Sequence, residues 1–155
     1  MEELLRRFNE TVMLGSVVGE TLVYLHSVES TQLVRYSPPR VRPPSQHPSS
    51  IGKLYLAELD DDALHDYVAT SIAPELRERL LDEVRQARGS GVAFNHGDTF
   101  ADLSAVAARI VADRRIVACL AIGGPTRRID ARLDEMVTAT RRAADAIGQS
   151  LVSSG

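Results

Sequence analysis

The chain has one cysteine, one lysine and no apolar run long enough to cross a bilayer, and each scarcity excludes a class of protein. Cys119 cannot form an internal disulfide, and a lone thiol with four scattered histidines does not make a cysteine-based metal site. The histidines stand 18 or more residues apart, without the i, i+4 spacing of a helical metal site. The first residues, MEELLRRFNE, are acidic and amphipathic, unlike a signal or transit peptide, so a cytoplasmic location is the default expectation. A net charge of −3 opposes a basic nucleic-acid-binding surface, and no helix-turn-helix, zinc-finger or RNA-binding signature is visible. Any contact with DNA must then be made by something outside this chain. Ser104 lacks the Gly-x-Ser-x-Gly context of a nucleophile elbow. Gly52-Lys53 lacks the glycine-rich run of a phosphate loop, which leaves Lys53 reading as a surface charge.

What remains is ordinary globular material, 155 residues with 44% hydrophobic and 25% charged side chains, enough for one domain with a substantial core. Its centre is the hairpin Ser104 to Gly124, SAVAARIVADRRIVACLAIGG: two apolar runs of strand length, rich in Val and Ile. A three-residue loop, Asp113-Arg114-Arg115, segregates the side chains best. Val106, Ala108 and Ile110 then share a face with Ala118, Leu120 and Ile122, apolar enough to floor a core. The opposite face carries Ala105, Ala107, Arg109, Cys119, Ala121 and Gly123, nearly all small. Such a face leaves a hollow, which either a closely packed helix or a ligand must fill. Arg109 is the odd residue on it, because a buried guanidinium needs solvent, a carboxylate, a bound anion or another subunit.

Around the hairpin, Glu2 to Phe8 reads as a short helix, and Thr11 to Val18 with Thr21 to Glu29 as an antiparallel pair turning at Gly19-Glu20. Gln32 to Tyr36 reads as a third short strand. Ser37 to Pro48 holds five of the seven prolines and reads as a long ordered or semi-ordered loop, of the kind that lies over binding sites. Helices are predicted from Ser49 or Ser50 to Leu59, from Asp60 to about Val68, and from Glu75 to Arg88 behind Pro74. The three aspartates Asp60 to Asp62 read as a capping first turn. Val92 to Phe94 reads as a short strand and Asp130 to Val152 as the final helix. The order of elements predicts an α+β domain built on an antiparallel sheet flanked by helices. His47 and His96 are the two histidines placed near cavity mouths; His26 and His65 read as structural or exposed.

Several stretches together resemble one known family. GETLVYLHSVES, HPSSIGKLYLA, ELRERLLDEVRQARGSGVAF and AVAARIVADRRIVACLAIGGP with Arg128 are similar, in order and spacing, to the effector-binding domain of IclR-type transcription regulators over nearly the whole chain. The resemblance implies a GAF-like domain that binds a small metabolite beside its sheet, needs no cofactor, forms a homodimer or tetramer, and controls a winged-helix DNA-binding domain. That N-terminal domain has no counterpart in residues 1 to 155, which are expected to be the effector domain alone.

Carried over by motif, the family's pocket falls on Ser50, Ile51, Asn95, Leu103, Ala105, Ala121 and Gly123, with Cys119 beside them on the small face. This chain departs from the family at Asp102 and Ala105 (usually Gly and Cys), Asn95 (acidic), Arg109 (Pro), and Ala121 and Gly123 (serines). The loss of hydroxyls and a thiol implies a larger or more apolar effector, such as an aromatic acid, with Arg109 or His96 as its anion partner. A hollow filled by Phe94, Phe100 or neighbouring side chains would count against that reading. Two other readings compete: an enzyme on the same scaffold using Cys119, and a dimerisation module whose pocket has degenerated.

Overall fold

A computed structural model describes residues 1–42 and 48–153. His47 and the residues just before it lie outside the described residues. Six antiparallel strands form one sheet in the order β3-β2-β1-β6-β5-β4. They are β1 (Thr11–Val18), β2 (Thr21–Val28), β3 (Val41–Arg42), β4 (Val92–His96), β5 (Leu103–Ala112) and β6 (Arg115–Pro125). Helices α2 (Ser50–Leu56), α3 (Asp61–Ser71) and α4 (Arg77–Ser90) cover one face; α1 (Glu2–Phe8), α5 (Thr126–Ala131) and α6 (Leu133–Ser153) cover the other.

Each helix is set by local chemistry. Ser49 caps α2 through Gly52 N–H, Asp60 caps α3 through Ala63 N–H, and Gly91 ends α4 in the left-handed conformation (φ 71°). Pro74 opens a 3-10 turn, Pro74–Leu76, in front of α4 rather than α4 itself. The final helix is two helices parted at Arg132. Its guanidinium bonds Arg7 O and Glu135 and stacks 4.6 Å over Phe8, tying the break to α1.

The hairpin turns on two residues, Asp113 and Arg114, both at positive φ (50° and 65°), instead of the three expected. The two faces segregate as expected all the same. A bulge after Ile110 restores the pairing Ile110 with Ala118 that a three-residue loop would have set. Val106, Ala108, Ile110, Ala118, Leu120 and Ile122 therefore lie under α6, while Ala107, Cys119 and Ala121 lie under α2.

Gln32 to Tyr36 is not a strand. Leu33 is 99% exposed, and the segment is pinned through Gln32 Nε2 to Asn9 O and Arg128 to Val34 O. The third strand on that side is β3, two residues between proline pairs, as suits an edge. The opposite edge, β4, is capped by its own surroundings. Ser90 Oγ bonds both backbone groups of Val92, Lys53 Nζ donates to Phe94 O, and Asp98 accepts from His96 N–H. These contacts leave little to template another strand.

Helix α6 approaches β5 closely enough that a Cβ at Gly148 would sit 2.5 Å from Val111 O. Gly148→Ala is expected to lower stability by about 1–3 kcal/mol, whereas Gly89→Ala, at an open helical position, should raise it by roughly 0.5–1 kcal/mol. Paired urea melts read both.

Candidate functional site

The small face of the hairpin first of all seats a helix. Ile51 and Leu54 of α2 pack on Ala107, Cys119 and Ala121, and α2 sits so near β1 that a Cβ at Gly15 would lie 2.9 Å from Ile51 Cδ1. Helix α2 thus fills the middle of the hollow. What it leaves is a cavity at the Gly123 end of about 30 Å³, room for a water or two.

That cavity is where most of the predicted residues meet. Ser50, Ile51, Asn95, Leu103, Ala105, Ala121 and Gly123 all line it, although they come from α2, β4, β5 and β6. Each is delivered by ordinary strand or helix geometry. Ala105 pairs with Gly123 and with Asn95 across neighbouring strands, so the three share one face. Asn95, 5% exposed, donates its amide to Thr99 Oγ1 at 2.8 Å, holding the loop that follows β4. In that loop Asp102 has a φ of 62°, a conformation glycine adopts freely.

Three predicted residues do not reach the cavity. His96 follows Asn95 on the same strand, and side chains alternate, so it points to the α6 face; its Nδ1 lies 3.3 Å from Asp130 Oδ1. Arg109 is on the right face but four residues from Ala105, roughly 13 Å along the strand. It lies against Gly91, bonds Arg88 O at 3.5 Å and stands 3.9 Å from Glu58. A carboxylate and solvent therefore answer its charge. Cys119 is fully buried beneath α2, and burial pushes its thiol up to about 12, so it stays protonated and inert at neutral pH.

The structure adds residues that the sequence reading passed over. Met13, Tyr24, Tyr36 and Thr99 join the wall, and the Tyr24 and Tyr36 hydroxyls lie 3.4 Å apart. Burial raises the Tyr36 phenol well above its ordinary range. Phe100 does border the cavity, while Phe94 packs on the other face of the sheet. Arg42, on edge strand β3, is the notable omission. Its guanidinium stands 5.2 Å from the Phe100 ring, and Nη2 is buried with no hydrogen-bond partner among the described residues. The basic residues of the proline-rich stretch were the available signal.

Lys53 is not a surface charge. It is 1% exposed on the inner side of α2, where Nζ meets Phe94 O at 2.8 Å, Glu83 at 2.8 Å and Asp98 at 3.3 Å. Arg79 closes the cluster on Asp98 (2.7 Å) and Glu83 (2.9 Å). The cluster ties α2, α4 and the loop carrying Thr99 and Phe100 to one another.

Among the described residues no group of three or more His, Cys, Asp or Glu could hold a metal ion, and no helix is long and apolar enough to cross a membrane. The architecture is an α+β domain, a six-stranded antiparallel sheet between two helical layers with a hollow at one end of its central hairpin. The chain belongs to the family described as bacterial transcriptional regulator IclR C-terminal, which it matches over residues 1–149. It is 29% identical over 149 residues to the acetate operon repressor of Salmonella typhimurium, covering 88% of this chain and 54% of the repressor. The chain thus spans about half the length of that relative.

Solved structures agree. An IclR-family transcriptional regulator from Rhodococcus sp. superposes with a TM-score of 0.81 at 29% identity, over 96% of this chain and 60% of the other. The C-terminal domain of the E. coli regulator KdgR superposes at 0.78 with 26% identity, over 98% and 93%. A second Rhodococcus regulator, at 22% identity, matches in fold with a TM-score of 0.86 over 99% and 67%.

Proposed function

We propose that this chain is the effector-binding and oligomerisation domain of an IclR-type regulator. A small organic acid, aromatic or otherwise apolar, binds at the Gly123 end of the hairpin. Binding biases the arrangement of subunits in a homodimer or tetramer, and through it a winged-helix DNA-binding domain, by favouring one pre-existing arrangement. One observation carries the reading: seven residues named separately by motif line a single cavity. Arg42, with its unpartnered Nη2 at the wall, replaces Arg109 and His96 as the anion partner. At about 30 Å³ the cavity is too small for such an acid, so binding requires the Met13 tip, Tyr36 or half-exposed Phe100 to move. The small volume is also what favours the second reading, a dimerisation module with a degenerate pocket.

A thermal-shift screen of the purified chain against aliphatic and aromatic carboxylates separates the two. A ligand at a hundred times its Kd adds about 2.7 kcal/mol and should raise Tm by roughly 5–10 °C. Gly123→Leu places a side chain where a Cβ already comes within 3.0 Å of Met13 and 3.5 Å of Ala105, and is expected to abolish the shift. No shift across the panel, with a stable dimer in solution, would favour the dimerisation module.

A further inference from the structure

Among the described residues a second cavity is large enough to hold a small molecule. It lies between the β1–β2 hairpin and helices α2 and α3 and measures about 370 Å³, within the range of ordinary ligand sites. Its walls are apolar and aromatic: Val17 and Leu22 from the hairpin, Tyr55, Leu56 and Leu59 from α2 and its exit, and Tyr67 from α3. The Tyr55 hydroxyl is hydrogen-bonded to Ser16 Oγ at 2.9 Å.

Two charged residues border this chamber, Glu20 and Arg42. Glu20 sits in the exposed turn of the hairpin, facing water. Arg42 stands on the inner side. It pairs with buried Leu22 across β2 and β3, so both side chains leave the sheet on the same face, and its Nη2 is buried without an acceptor among the described residues. A buried, unpartnered guanidinium nitrogen beside an apolar chamber is half of a recognition site; the missing half is an anion attached to an apolar body. One unpartnered guanidinium nitrogen, with Glu20 at the mouth, suits one negative charge better than the two of a phosphate monoester.

The geometry points to a binding site in this chamber for an amphiphilic monocarboxylate, its aryl or medium-length alkyl body against Leu22, Leu56 and Tyr67 and its carboxylate against Arg42. The site is separate from the effector cavity, yet Arg42 and Ser49 border both. Arg42 Nη2 answers only one of the two carboxylates at a time, so acids in the two cavities are expected to compete.

The test is isothermal titration of the intact chain with 4-phenylbutyrate and octanoate, and with 4-phenylbutanamide as the uncharged control. Saturable binding is expected, with the acid about tenfold tighter than its amide. Arg42→Gln should erase that preference and leave amide affinity unchanged. Leu56→Trp, which fills the chamber, should abolish binding of both; if circular dichroism shows it misfolded, Val17→Trp takes its place. Gly123→Leu should leave binding intact. The chain has no tryptophan, so Leu59→Trp at the half-open rim gives an independent fluorescence readout. Absence of saturable binding to roughly 10 mM, or equal affinity for acid and amide, overturns the inference. Binding lost in Gly123→Leu but kept in the filled-chamber variants also overturns it, and would place the ligand in the effector cavity instead.

Discussion

Lys53→Met is expected to cost about 3–5 kcal/mol and to lower Tm by on the order of 10 °C, far more than a lysine-to-methionine change at a surface site. The ammonium is 1% exposed, and its removal leaves Phe94 O without its donor and Asp98, itself 5% exposed, with Arg79 as its remaining cation. Methionine matches the length of the stem, so the loss comes from charge and hydrogen bonding rather than from a void. Thermal and urea unfolding measure it. A change below about 1 kcal/mol would mean that the surrounding carboxylates relax into water at little cost.

The same cluster sets an acid limit. Burial works against the Asp98 charge, but Lys53, the His96 N–H and Arg79 outweigh it and hold the carboxyl below its ordinary value of 3.8. A carboxyl depressed on folding contributes stability that is complete above its unfolded pKa and disappears as pH falls through the folded one. Stability should therefore fall below about pH 4, and in Asp98→Asn that part of the pH dependence should be missing. Because Thr99 and Phe100 follow Asp98 directly, loosening this cluster also loosens the wall of the cavity at Gly123.

The hairpin was legible because strand parity is a two-valued choice and only one choice gives a uniformly apolar face. It survived an error in loop length because the bulge at Ile110 and the shorter turn cancel. Seven cavity residues were legible through motif order, which is a record of position rather than of chemistry. His96 was misassigned against parity, since Asn95 and His96 cannot face one side of a strand. Arg109 was misplaced for a different reason: the small face is longer than the cavity, and α2 covers its centre. Lys53 was missed because helix periodicity gives the direction of a side chain but not the identity of what it meets. Glu83 and Asp98 are 30 and 45 residues away in sequence, and nothing local announces them. Arg42 was missed because a proline-rich stretch hid a two-residue strand that gains its form only by pairing with β2.

Glu10 and Arg128 illustrate the same long-range dependence, and their disruption should be the other large effect. Glu10 is 2% exposed, and both of its oxygens accept from Arg128, Nε to Oε1 at 2.5 Å and Nη2 to Oε2 at 2.9 Å. Arg128 also donates to Val34 O at 2.8 Å, so one guanidinium ties β1 and α5 to the exposed loop after β2. Glu10→Ala strands a partly buried guanidinium beside a new void and is expected to cost about 3–5 kcal/mol. Gly124 belongs to this arrangement because any Cβ there would collide with the Glu10 carboxylate. Gly124→Ala alone should therefore be destabilising by roughly 1–3 kcal/mol through displacement of the ion pair. In the Glu10→Ala background the collision is gone. The second substitution should then be nearly neutral, giving a coupling of about 1–3 kcal/mol in a double-mutant cycle of urea melts. Additive losses would show that Gly124 is required by the strand itself and not by the carboxylate it makes room for.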